Sequence, residues 1–209
     1  MDELVRQALL KWPNVPDCYG WLALDRRGQW RLGQERQTIT NPTIGAFIAR
    51  NYISDEAGQW LFQNGPQRVF VDLDYTPWVW RTVPEDDVFA IANHAGQRYK
   101  APNCAWIDED GRILLRSEDS PIGVVHDHDT EQIVDWMVAA DGTEIETGAL
   151  EERLLSLSRD EPTGLLLAWP GQAELVSLVA ISSRDAEALF QFVAHPLAKQ
   201  NEPPSTVLP

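Results

Sequence analysis

A chain of 209 residues is long enough for one large domain or two small ones, and 44% apolar residues with nine Trp, six Phe and four Tyr exclude a generally disordered protein. A formal net charge of −15 at pH 7 excludes nucleic acid and anionic membrane surfaces as partners, because both are held by Lys and Arg neutralising fixed negative charge. Cys18 and Cys104 lack any Cys-x-x-Cys spacing, which excludes zinc-finger and thioredoxin-type centres, and no apolar run reaches the ~18 residues of a membrane span.

Residues 2–12 place Leu4, Val5, Ala8, Leu9 and Trp12 at helical spacing, with Asp2 and Glu3 near the positive helix end. This charged, amphipathic start reads as a helix and not as a signal peptide, so the protein is expected in the cytoplasm with both cysteines as ordinary thiols. Pro13 and Pro16 end the helix. Residues 20–25 then read as a strand that turns at Arg26-Arg27-Gly28 into a second strand at 29–32. Asn41 before Pro42 is a helix start, and Ile44, Phe47, Ile48 and Tyr52 supply the buried stripe of a helix at 42–53.

After the turn Asp55-Glu56-Ala57-Gly58, strands at 59–63, 68–73 and 77–82 read as a meander, followed by strands at 88–92, 104–107 and 112–116. Asp110-Gly111 gives the strongest hairpin signal. Beyond it, Asp129 or Thr130 caps a helix over Ile133, Val134 and Met137, or residues 136–140 form a strand; the pattern allows both. A helix at 148–156, a hairpin around Pro170-Gly171 and a helix capped by Ser182 or Ser183 and running to about residue 193 complete the pattern. The tail from His195 is rich in proline and reads as a mobile end.

These elements define an α+β fold of β-rich meanders with a few packed helices, in two related units: 1–128, a smaller unit at 129–195, and a Pro-rich tail at 196–209. The relation rests on an internal echo. Trp21 to Asp25, the helix at 42–53, Asp55-Glu56 and Gly65-Pro66 recur in order as 136–141, the helix at 148–156, Asp160-Glu161 and Pro170-Gly171. A shorter echo links Asp55-Glu56-Ala57-Gly58 with Asp108-Glu109-Asp110-Gly111.

The string Gly58-Gln59-Trp60-Leu61-Phe62-Gln63-Asn64-Gly65-Pro66-Gln67-Arg68-Val69, continued by Val71-Asp72-Leu73-Asp74-Tyr75-Thr76-Pro77-Trp78-Val79, resembles an uncharacterised proteobacterial family known as a domain of unknown function. The Trp21 strand and residues 39–47 fit it too. That family is similar to a repeat-containing one linked to signalling. The resemblance covers the first 120 residues loosely, and its motifs are turns and strands, so it implies a fold and a signalling association without functional residues.

Charge is uneven: residues 106–161 hold 16 acidic and 4 basic side chains, an excess that suits solubility or a basic protein partner met at Asp108, Glu109 and Asp110. His126-Asp127-His128-Asp129 would, on a strand, put both imidazoles on one face as two metal ligands, short of the three or four a site needs. Asp72 and Asp74 share a strand face in the manner of magnesium-holding carboxylates, or simply lead into a turn. Trp78 and Trp80 face one way on a strand, as core or as a ligand platform, with Arg68 and Arg81 on neighbouring strands as anion-binding groups. With no complete catalytic set and no cofactor motif, the sequence reads as a non-enzymatic binding or regulatory module for a small ligand or basic protein. Its rival is a metal-dependent hydrolase using His126 and His128.

Overall fold

The computed structural model describes residues 1–86, 88–155 and 162–198. The fold is α+β. The chain forms two compact units, one from residues 1–77 with the segment from 191 onward, the other from 78–190. The boundary expected after residue 128 falls inside the second unit, because strands on both sides of it belong to one sheet.

The first unit begins with α1 (Glu3–Lys11), whose Glu3 and Lys11 suit the helix dipole. Its sheet has six strands: β1 (Cys18–Leu24), β2 (Trp30–Leu32), β3 (Gln37–Thr38), β4 (Tyr52–Ser54), β5 (Trp60–Asn64) and β6 (Gln67–Leu73), in the order β3-β2-β1-β6-β5-β4. β1 and β6 run parallel, and every other pair is antiparallel. Two three-stranded meanders are thus joined edge to edge through their first and last strands. Between them lies α2 (Pro42–Arg50), opened by the Asn41 side chain, which accepts from the amides of Thr43 at 2.9 Å and Ile44 at 3.4 Å. The helix stops a turn short of the expected residue 53. Tyr52 and Ile53 are strand-favouring and pair with Phe62 and Leu61, while buried Asn51 accepts from the Asp2 amide at 2.7 Å.

The second unit carries β7 (Trp78–Glu85), β8 (Val88–Asn93), β9 (Arg98–Tyr99), β10 (Cys104–Ile107), β11 (Ile113–Arg116), β12 (Gly123–Val125), α3 (Asp127–Val134), β13 (Met137–Ala139), α4 (Thr147–Leu155), β14 (Pro162–Leu167), β15 (Val176–Ala180) and α5 (Ala186–Phe190). A 3-10 turn, Ser183–Asp185, capped by Ser182, precedes α5, so the last helix ends short of residue 193. The sheet order is β13-β14-β15-β10-β11-β12-β7-β8-β9, with β12 parallel to β7 and β15 parallel to β10. The expected meander over 59–82 is therefore divided: β5 and β6 close the first sheet and β7 opens the second. The ambiguous segment after His126 is a helix and then a strand. Of the tail, residues 199–209 lie outside the described residues.

One turn recurs through both sheets. In Asp25-Arg26-Arg27-Gly28-Gln29, the Asp25 amide donates to the Gln29 carbonyl at 3.1 Å, Gly28 donates back to the Asp25 carbonyl at 3.0 Å, and Asp25 Oδ1 accepts from the amides of Arg27 and Gln29 at 2.9 Å each. Asp55, Asn93 and Asp108 make the same set with their own successors, and Ala139-Ala140-Asp141-Gly142-Thr143 repeats the backbone part. The glycine is obligatory, at φ between +74° and +81° in the five copies. The shorter sequence echo is this turn. The longer one does not carry over: α2 links two meanders, whereas α4 lies between β13 and β14, which pair with each other. Asp160-Glu161 lies outside the described residues.

Gly58 and Gly111 occupy the same place in two copies, but a Cβ at Gly58 would stand 2.5 Å from the Gln191 carbonyl oxygen, and one at Gly111 meets nothing within 4 Å. Gly111→Ala should lose about 1–2 kcal/mol from left-handed strain alone. Gly58→Ala should lose clearly more, read from urea unfolding midpoints; equal losses would show the contact to residue 191 to be slack.

Candidate functional site

α2 lies over one face of the first sheet and presents Ile44, Phe47 and Ile48 to it. Gly45 faces Trp30, where a Cβ would meet Trp30 Cδ1 at 3.9 Å, an ordinary van der Waals contact. Below, Trp30, Tyr52 and Trp60 form a continuous aromatic cluster with ring centroids 5.1 and 4.7 Å apart, and Phe47 meets Phe62 edge-on at 5.4 Å. These rings fill only part of the space under the helix. The rest is an open groove of about 680 Å³.

Strand alternation decides what the groove contains. On β6, Gln67 and Val69 line it, so Arg68 and Phe70 point to the opposite face, where Arg68 is paired bidentately with Asp17 and lies 5.3 Å over the Phe70 ring. On β5, Phe62 and Asn64 line it. On β1 the alternation breaks: Gly20 has φ +71° and the pairing with β6 shifts between Cys18 and Leu22, so Cys18, Trp21 and Leu22 all reach the groove. Leu32 and Ile39 close the lining. Trp21, Leu32 and Ile44 stand at its mouth, 37%, 49% and 48% exposed. Burial pushes the Cys18 thiol up, which keeps it protonated and a poor nucleophile near neutrality.

The residues singled out in the sequence do not converge. Trp78 and Trp80 do share a face, 6.5 Å apart, but are 4% and 1% exposed. Trp80 Nε1 donates to the Leu115 carbonyl at 2.9 Å, and a Cβ on Gly123 would come within 2.4 Å of that nitrogen, so this face is packed core and not a ligand platform. Arg68 belongs to the first unit and Arg81 to the second, and neither strand pairs with the other. Arg81 donates to Asp129 from Nε at 2.7 Å and Nη2 at 3.0 Å.

His126 is the N-cap of α3, accepting from the His128 amide at Nδ1, 3.1 Å away; the cap is thus not Asp129. Burial, then the Arg81 and His128 charges, push the His126 pKa down, which favours the neutral imidazole. Among the described residues no group of three or more His, Cys, Asp or Glu is placed to hold a metal ion. Arg36 lies between Asp72 and Asp74, at 3.8 and 2.5 Å. Asp108 is buried in its own turn, Glu109 accepts from the Ser183 amide and hydroxyl at 2.8 and 2.7 Å, and Asp110 pairs with Arg112. These carboxylates are committed within the unit. Cys18 and Cys104 are free thiols.

Fold and site together define the class: a two-unit α+β protein with an apolar groove under a sheet-packed helix. The chain belongs to the family DUF2944, described as Protein of unknown function (DUF2946), which its residues 1–197 match. It is similar to the crystal structure of a DUF1285 family protein from Silicibacter pomeroyi DSS-3, at 14% identity over 90% of this chain and 99% of that one, with a TM-score of 0.49. A DUF1285 family protein from Shewanella baltica OS155 is similar at 12% identity over 62% and 95%, with a TM-score of 0.37. No curated protein matches the chain. No helix among the described residues is long and apolar enough to cross a membrane.

Burial raises the Asp129 pKa, but the Arg81 guanidinium and the Thr82 amide at 2.9 Å outweigh it, and the carboxyl lies below its ordinary value. A lowered folded pKa gives stability that is complete above the unfolded value, about 3.9, and lost as pH falls through the folded one. Asp129→Asn should cost about 1.5–3 kcal/mol at pH 7, with the gap to wild type closing in acid below that range. Denaturant melts across pH check it; a gap that ignores pH would assign the loss to packing.

Proposed function

We propose that the protein is a non-enzymatic binding module of a regulatory kind, cytoplasmic, which takes a small apolar ligand in the groove under α2. The groove carries the reading: its volume of about 680 Å³ is within the ~300–1,000 Å³ of small-molecule sites, and aliphatic and aromatic side chains dominate its lining. The half-buried thiol of Cys18 is held protonated, which supports binding over covalent chemistry. A signalling association is the role such a module would fill.

Metal-dependent hydrolysis at His126 and His128 has no favouring observation, since His126 Nδ1 is used by the helix cap and Asp129 by Arg81. A basic protein partner would have to meet acidic groups other than Asp108 and Glu109, whose oxygens are bonded within the second unit.

The test is titration with the neutral dye Nile red, followed by its emission and by the quenching of tryptophan fluorescence. Saturable one-to-one binding is expected. Ile44→Glu, at the half-exposed mouth, should weaken it about tenfold or more through the cost of a charge against the apolar wall. Its unfolding midpoint should stay near wild type, because Glu is a good helix former. No saturable binding, or equal binding by the variant, overturns the reading.

A further inference from the structure

The break in β1 delivers to the groove a large ring that the protein itself leaves unmatched, and what this says of the ligand rests on the groove being a ligand site. Cys18 stands opposite Val69 and Leu22 opposite Val71, so β1 takes four residue steps where β6 takes two. Such a bulge disrupts the ladder, and it uses the left-handed conformation of Gly20, at φ +71°. A Cβ on Gly20 would meet nothing within 4 Å. No close approach calls for the glycine there; the re-aimed backbone does.

Two aromatic side chains leave the bulge on opposite faces of the sheet. Tyr19 stacks on Phe70, with centroids 4.5 Å apart and planes 1° from parallel. Trp21 goes to the mouth of the groove, where it is 37% exposed. Of the nine Trp, seven meet another aromatic ring, and the ring of Trp12 has Lys11 Nζ over it at 4.5 Å. The Trp21 side chain has no ring, cation or hydrogen-bond partner among the described residues. Aromatic pairs gain more than their buried area alone provides, whether offset-stacked or edge-to-face, so a second ring is the partner that Trp21 lacks.

We infer that the ligand carries a planar aromatic ring, which pairs with the Trp21 indole at the mouth of the groove beside Leu32 and Ile44. The rest of its apolar body lies against Ile48 and Phe62, which are buried. Trp21 thereby sets the specificity of the site, favouring flat, unsaturated molecules over saturated ones with the same carbon skeleton.

Calorimetric titration with naphthol and with decahydronaphthol of the same substitution tests this, because the two share a skeleton and a hydroxyl group and differ in the ring. Area burial alone favours the saturated alcohol, whose surface is larger. The wild-type protein should instead bind naphthol about threefold to tenfold more tightly. Trp21→Leu should remove that preference while still binding the saturated alcohol, and Trp21→Phe should retain it. Equal or tighter binding of decahydronaphthol by wild type, a preference that survives in Trp21→Leu, its loss in Trp21→Phe, or binding of Nile red without either alcohol overturns the inference. Failure of Nile red and both alcohols to bind overturns the underlying reading instead.

Discussion

A side-chain oxygen folded back onto two backbone amides is the interaction on which both sheets depend. At Asp25, Asp55, Asn93 and Asp108 it satisfies the amides that a tight turn leaves unpaired, while the glycine three positions on absorbs the left-handed conformation. Once the turn is closed, the register of the hairpin is fixed, because side chains alternate with period two and a slip of one residue would exchange the faces. The second oxygen is tied as well: Arg31 on β2 holds Asp25, and Gln59, just before β5, holds Asp55. The turn therefore sets both the path of the chain and which side chains reach the core.

Hairpins fixed in this way still have to be joined, and each sheet does so through a parallel pair between one meander's first strand and another's last. This leaves short strands at the outer edges, β3 and β4 in one sheet and β13 and β9 in the other, which limits the unpaired backbone on offer to other chains. The groove comes from the same construction with one irregularity. Regular alternation on β5 and β6 sends apolar and amide side chains to the α2 face, and the break at Gly20 adds Trp21 to them.

Much of this was legible in the sequence. Asn41-Pro42 marked α2, and the Asp-x-x-Gly strings marked the turns, because capping and left-handed geometry are local and leave a signature in adjacent residues. Strand partners were not legible. Nothing in Thr76-Pro77-Trp78 announces that β7 leaves β6 for another sheet, since pairing is decided by burial of whole faces. The prominent Trp78-x-Trp80 pair drew attention as a platform, yet Gly123, 43 positions beyond Trp80, opens the space that buries it. The groove had a faint signal: Ile44 on the apolar stripe of α2, opposite an alternation of Gln67 and Val69 that leaves Arg68 on the far side.

The segment after α5 returns to the first unit: the Val193 amide donates to the Gly58 carbonyl at 2.9 Å, Leu73 donates to the Ala194 carbonyl at 2.8 Å, and Phe192 and Ala194 are buried. On a ribosome, the first sheet is made early but its last partners arrive only after the whole second unit has been synthesised. Contacts spanning more than a hundred positions carry a large loop-closure entropy while the intervening chain is loose, and a smaller one once that chain is itself folded. The second unit is in this sense an insertion whose own folding draws in the strap that completes its host. The nascent chain thus finishes the first unit last, and until then the turn at Gly58 presents its carbonyl to water or to another chain's backbone.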